Sequence, residues 1–227
     1  LQARRRFDAG LDRRTFTLFL TDLGEAYFLP RLLAHVRQAA PGVSLRTLPM
    51  PDRQPQAALE SGEVDLAIGH LPDMKGGYYQ QRLFRERYVC IVRADHPLFE
   101  GPADPARLRE ARHAVVMPHG TSHNGVEQAL TRLGLQDHIV LRAQNFLVLP
   151  AIVRQTDLVA LIPRSAASAL SLDGGLRQVA SPIELPDFVV KQCWHERLHA
   201  DAGHQWLRQQ IAALFGEGSA AGARTVD

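Results

Sequence analysis

Three stretches of this 227-residue chain hold residue types that do chemistry. The first is His195-Glu196-Arg197-Leu198-His199, a literal H-E-x-x-H with His204 five residues on. On a helix that string sets two imidazoles one turn apart as zinc ligands and leaves the carboxylate as general base. The residues before it alternate as a strand does, and Asp201-Ala202-Gly203 interrupts any helix, so a surface loop after a strand is the competing reading. The second stretch, Pro118 to Gly125, contains His119, Thr121, Ser122 and His123. Ser122 and His123 are sequence neighbours that diverge on a regular backbone, which argues against a nucleophile–base pair. Their hydroxyl and imidazole groups precede a helix start, where backbone N–H groups suit a polar or anionic ligand group. The third stretch, Thr21-Asp22-Leu23-Gly24, offers a similar helix start, with Asp22 as the cap and Glu25 closing a capping box. Two such starts make a binding constellation and not a catalytic one, unless Thr21 and Thr121 only cap their helices.

No phosphate loop, dinucleotide fingerprint or paired C-x-x-C occurs, so no cofactor is expected. The 26 basic and 24 acidic residues nearly balance, which argues against a surface that coats nucleic acid. Only Arg4, Arg5, Arg6, Arg13 and Arg14 cluster, and a solvated linker accounts for them. With 45% hydrophobic and 22% charged residues the composition is that of a globular protein. The longest apolar runs fall far short of the roughly 20 residues that a membrane-spanning helix needs, so no membrane partner is expected. Cys90 and Cys193 each sit inside an apolar run, pointing to a reducing, cytoplasmic setting. The chain opens Leu1-Gln2-Ala3 without an initiator Met or a secretory signal and reads as part of a longer protein.

The elements that must position these residues follow from periodicity. Thr15–Leu20 reads as a strand, Asp22 to about Ala40 as a helix, Val43–Leu48 as a strand, Gln56–Ser61 as a helix and Val64–Ile68 as a strand. This βαβαβ order predicts right-handed crossovers and a parallel sheet. Two more strands, Gln81–Phe84 and Tyr88–Val92, precede a Pro- and Gly-rich crossing at residues 95–105, after which the same grammar repeats. Its elements are a helix at Ala106–Ala111, a strand at His113–Met117, a helix at Gly125–Leu133 and a strand at Ile139–Arg142. A helix at Leu147–Gln155 and a strand at Leu158–Ile162 complete it, before a last strand, Phe188–Trp194, and a helix, Gly203–Phe215. The reading is α/β: two Rossmann-like lobes joined by two crossing strands, with ligand expected where strand C-termini and helix N-termini face each other across a cleft. The division is 1–14 as lead-in, 15–93 plus 189–216 as lobe I, 94–188 as lobe II and 217–227 as a disordered tail.

Phe16 to Pro30, Leu59 to Gly69, Arg82 to Cys90, Asp95-His96-Pro97 and Thr156 to Ala160 resemble the effector-binding domain of LysR-type transcriptional regulators. The similarity runs from about Leu1 to Phe215 and is closest to the branch that senses flavonoids, salicylate and nitroaromatic compounds, through Thr21-Asp22-Leu23-Gly24-Glu25, Trp194-His195 and Trp206 to Gln209. The resemblance implies a fold like type II periplasmic binding proteins, no catalysis, and H-E-x-x-H as a coincidence. It implies that the first residues end a linker helix and that promoter DNA and RNA polymerase are met only through the full-length protein. It also implies dimers or tetramers, and a small aromatic effector as the ligand. By resemblance Thr21 is a pocket hydroxyl, Phe28 an aromatic wall and His123 an imidazole reaching the effector, with Asn145 and Phe146 in a nearby loop. Glu86 and Ser165 depart from the pattern, standing where a histidine and an arginine are usual in the salicylate-type branch. Without Arg164 or Arg87 in compensation, an anionic effector would lose about 2 to 5 kcal/mol of buried charge pairing. A neutral or phenolic ring is then at least as well suited, unless Glu86 merely pairs with Arg85 or Arg87 in solvent. A two-lobed solute-binding protein, and a zinc hydrolase on His195, Glu196 and His199, are the alternatives from other classes.

Overall fold

Strand β1 (Arg14–Phe19) leads through Leu20 and Thr21 into α1 (Asp22–Ala39), which returns to β2 (Val43–Leu48), α2 (Pro55–Ser61) and β3 (Leu66–Gly69). Then come β4 (Tyr78–Glu86), β5 (Tyr88–Arg93), α3 (Pro105–Glu110), β6 (Arg112–Val116), α4 (Gly125–Arg132) and β7 (Ile139–Ala143). The chain continues through α5 (Leu149–Arg154), β8 (Leu158–Pro163), α6 (Arg164–Leu170), β9 (Leu176–Ala180), β10 (Phe188–His195) and α7 (Ala202–Phe215). The computed structural model describes residues 7–48, 55–71, 73–97, 104–117, 125–170, 174–181 and 183–217. Among them no helix is long and apolar enough to cross a membrane.

The described residues up to Arg85 and from Val189 on form one compact unit, and Glu86–Phe188 forms a second. Unit 1 holds a five-stranded sheet in the order β2-β1-β3-β10-β4, and unit 2 one in the order β7-β6-β8-β5-β9. In unit 1, β1 pairs parallel with β2 and β3, whereas β10 runs antiparallel to β3. In unit 2, β6 pairs parallel with β7 and β8, whereas β5 runs antiparallel to β8 and β9. The parallel pairing expected of the βαβαβ run is found among β1, β2 and β3, and the antiparallel strands β10 and β5 make both sheets mixed. Strand β5, placed by its neighbours in lobe I, belongs to unit 2. Its pairing decides this: Tyr88 to Val92 are buried in succession because β8 and β9 flank the strand on its two sides.

Inward-facing side chains of the strands and of the helices packed on them build the cores. Phe16, Leu18, Leu32, Leu66, Ile68 and Leu83 are fully buried in unit 1, as are Ile91, Leu108, Leu130 and Leu149 in unit 2. Each contributes about 1.5 to 3 kcal/mol of burial. Two elements had no periodic signature. Helix α6 (Arg-Ser-Ala-Ala-Ser-Ala-Leu) has small residues in place of an apolar stripe, and β9 is a half-exposed edge strand. The helix expected from Leu147 begins as a 3-10 turn at Phe146–Val148 and becomes α-helical only at Leu149, next to Pro150. Of the expected tail, Glu217 is held: its N–H donates to the Leu83 carbonyl and its carboxylate pairs with Arg82. The expected linker-helix end at residues 1–6, and the tail from 218 on, lie outside the described residues.

Candidate functional site

Open α/β sheets bind ligands beyond the carboxyl ends of their parallel strands. In unit 1, β1 and β3 are parallel neighbours, so Leu20-Thr21 and Gly69-His70 leave the sheet at one edge. Antiparallel β10 brings Lys191 to the same edge, opposite Gly69. The Thr21 hydroxyl accepts from the Gly24 N–H at 3.1 Å and is the N-cap of α1, so the cap is Thr21, and Asp22 is the first helical residue. His70 donates from Nδ1 to the Val189 carbonyl at 3.4 Å. Burial pushes its pKa down, and nearby Lys191 adds to this while the Val189 carbonyl opposes it. Lys191 is buried and donates to Asp73 Oδ1 at 2.7 Å and Gln80 Oε1 at 2.6 Å. Phe28, expected as an aromatic wall, lies two turns along α1 at 3% exposure. Its ring meets Phe215 edge-on at 4.7 Å and Tyr27 at 5.0 Å, inside an aromatic cluster.

In unit 2 the matching edge is where β8 ends at Pro163 and α6 begins at once with Arg164. Here Glu86, 5% exposed, does something neither sequence reading foresaw. Its Oε1 accepts from the Arg87 N–H at 2.9 Å and its Oε2 from the Ser165 N–H at 3.1 Å, while the Arg164 N–H donates to the Arg87 carbonyl at 2.9 Å. A carboxylate expected either to face the ligand or to pair with an arginine in solvent instead braces the start of β5 against the start of α6. Tyr88, opposite Pro163 in the pairing of β5 with β8, has its phenol pushed up to about 12 by burial and by Glu86. Asn145 and Phe146 follow β7; Asn145 is exposed, and Phe146 is buried at the start of the 3-10 turn. Thr121, Ser122 and His123, between β6 and α4, lie outside the described residues.

The H-E-x-x-H string does not lie on a helix. His195 ends β10, Glu196–Leu198 is a single 3-10 turn, and His199 follows it. His195 Nδ1 accepts from the Arg197 N–H, and His199 accepts from Trp194 Nε1 while its ring stacks on Tyr79 at 3.8 Å. Both imidazoles are thus engaged in local structure.

A model of the LysR substrate binding domain matches residues 9–216. The chain belongs to this family. As a LysR effector-binding domain it is similar to the HTH-type transcriptional activator NagR of a Ralstonia species, at 37% identity over 217 residues, 96% of this chain and 72% of that protein. It is also similar to the HTH-type transcriptional activator NahR of Pseudomonas putida, at 36% identity over 215 residues, 95% of this chain and 72% of that protein. Among solved structures, a probable transcriptional regulator from Pseudomonas aeruginosa matches with a TM-score of 0.80 and 30% identity over 91% of this chain and 68% of that one. The regulatory domain of MexT, a transcriptional activator of the same organism, matches with a TM-score of 0.74 and 27% identity, covering 88% of this chain and 98% of that one. The fold is that of LysR regulatory domains, like type II periplasmic binding proteins, and the family is one of regulators, not enzymes.

In this LysR domain the structure gathers Thr21, His70 and Lys191 at one strand edge, and Glu86, Tyr88, Arg164 and Ser165 at the other. Lys191 and Tyr88 escaped sequence reading because only the register of antiparallel β10 and β5 brings them there, and His70 because it follows the short strand β3 in an irregular segment. The signal available in advance was a lone Lys191 inside the apolar run Phe188–Trp194.

Proposed function

We propose that this LysR-type domain senses a small planar aromatic compound, neutral or phenolic, at the strand edges that carry Thr21 and His70 in unit 1 and Asn145, Arg164 and Ser165 in unit 2. His123, from the resemblance, completes the set. One observation carries the preference for an uncharged ring: the buried cation at the unit 1 edge, Lys191, is already matched by Asp73 at 2.7 Å. At the unit 2 edge Ser165 supplies no charge, and the buried Glu86 carboxylate beside it opposes the positive field of Arg164. A hydroxyl on the effector suits these groups, because Thr21 and Ser165 hydroxyls and a neutral His70 exchange hydrogen bonds without ion pairing. Effector binding shifts the domain between two states by differential affinity, and this shift is passed to promoter DNA and RNA polymerase in the full-length regulator. That regulator self-associates as a dimer or tetramer in the cytoplasm.

Thermal unfolding of this chain against planar phenols, neutral heterocycles and carboxylates tests the reading, since a ligand at 100 times its Kd adds about 2.7 kcal/mol of stability. Phenols and neutral rings raise Tm in the parent chain, and His70→Gln diminishes the rise. A rise confined to carboxylates would overturn the preference for an uncharged ring.

A further inference from the structure

One face of α7 is not used by either strand edge. Gln205, Arg208, Gln209 and Ala212 recur at i, i+3, i+4 and i+7, and so lie on one side of the helix. With Gln81 of edge strand β4 and Trp194 of β10 they line a depression of about 500 Å³, wholly within unit 1. No lining residue is acidic.

Arg208 gives this depression its chemistry. Its residue exposure is 8%, and its guanidinium lies over the Trp194 ring at 4.1 Å. Nη1 donates to the Leu198 carbonyl at 3.2 Å and to His204 Nδ1 at 2.6 Å, and Nη2 donates to the His199 carbonyl at 3.1 Å. These partners are two neutral carbonyls and an imidazole. His204 Nε2 donates to the Asp65 carbonyl at 2.9 Å, which leaves Nδ1 as an acceptor and the ring neutral. Among the described residues no carboxylate bonds to Arg208, and neither Nε–H nor the second Nη2–H has a partner. Nε and Nη2 lie on one edge of the guanidinium, the edge that matches the two oxygens of a carboxylate, and each keeps an N–H to donate, with Asp201 acting on the guanidinium only through its charge. Around it, Gln81 accepts from Gln192 Nε2 at 2.7 Å, which leaves its own amide N–H groups to donate. Gln205 donates to the His199 carbonyl at 2.9 Å and keeps its oxygen as an acceptor.

We propose that this depression is a second binding site, separate from the effector-sensing strand edges, that takes a small planar organic carboxylate. The carboxylate lies side-on to Arg208, the planar body runs alongside Trp194, and the amides of Gln81, Gln205 and Gln209 form the polar rim. The inference stands apart from the proposed sensing function, since it shares no residue with it.

Benzoate is the probe, titrated into this chain while the indole N–H resonance of Trp194 is followed; the chain has two tryptophans, so Trp206 is the internal control. The Trp194 signal is expected to shift saturably while Trp206 stays in place. Gln209→Glu places a carboxylate on an exposed helix position without disturbing the core, and is expected to weaken benzoate about fivefold or more by like-charge repulsion. Arg208→Lys keeps the charge but lacks the fork, and is expected to weaken it further. Thr21→Val is expected to leave the Trp194 titration unchanged. A titration insensitive to Gln209→Glu, or no saturable shift at Trp194, overturns the site. Benzoate binding that is lost in Thr21→Val and kept in Gln209→Glu also overturns it, by placing the anion at the strand edge instead.

Discussion

The two sheets follow one plan with one exchange. β2-β1-β3 corresponds to β7-β6-β8, and edge strand β4 to β9, while the antiparallel strand between them comes from the other half of the sequence in each case. At corresponding positions of that exchanged strand the chemistry is opposite. Unit 1 sets Lys191 against Gly69 at the end of β3, and unit 2 sets Tyr88 against Pro163 at the end of β8. After Gly69 the chain stays irregular, and Lys191 finds side-chain partners in Asp73 and Gln80. After Pro163 the chain enters α6 directly, and the Ser165 N–H of the helix start, together with the Arg87 N–H, holds a buried carboxylate, Glu86. The same backbone plan thus yields an edge held by side chains in one unit and an edge held by backbone donors in the other.

The sharpest break in this comparison comes from removing the unit 2 brace. Glu86→Ala leaves the Arg87 and Ser165 N–H groups without their acceptors and is expected to cost about 2 to 4 kcal/mol in urea unfolding, with Glu86→Gln costing about half. Hydrogen exchange should show the loss in β5 and α6 while β1 and β3 keep their protection; equal loss in both units would refute a local brace. Acid acts on a buried imidazole in each unit. In unit 1, burial first and then the Arg208 charge hold the His204 pKa down to about 4, against the opposing Asp65 hydrogen bond. His113 in unit 2 is also depressed, chiefly by burial, and its buried Nδ1 has no hydrogen-bond partner among the described residues. Since folded His204 binds fewer protons than the unfolded imidazole, whose pKa is 6.5, stability is intact above that value and drains as pH falls toward 4. The expected loss is about 3 kcal/mol, and His204→Gln should flatten the pH dependence of urea midpoints over this window. The smallest effect is at the unit 1 edge. Thr21→Val removes the cap of α1 and is expected to cost about 1 kcal/mol, with Thr21→Ser restoring it.

Element type was readable wherever an apolar stripe or alternation ran long enough. Helix α1 shows Leu32 and Val36 on its buried side, and β10 and α7 came within a residue of their bounds. Partnering was less readable. Pro and Gly punctuation at residues 95–105 drew the boundary between the units too late, because periodicity reports burial and not which sheet a strand joins. Thr21 was legible as a helix-start hydroxyl, since a cap is a local device. Glu86 was not, since the long-range one of its two acceptor roles depends on α6, whose alanines and serines give no pattern. Phe28 was legible as aromatic, but its burial against Phe215 links residues far apart in the chain.

The strand exchange also orders the protein's own synthesis. Unit 2 occupies the unbroken stretch Glu86–Phe188, so every strand of its sheet has been synthesised before β10 is. Until that moment β3 lacks its neighbour on one side, and β4, which pairs only with β10 in the finished sheet, has none. The half of the domain translated first is therefore the last to close, and a chain terminated before Phe188 would carry one complete sheet beside an open, unpaired edge prone to association.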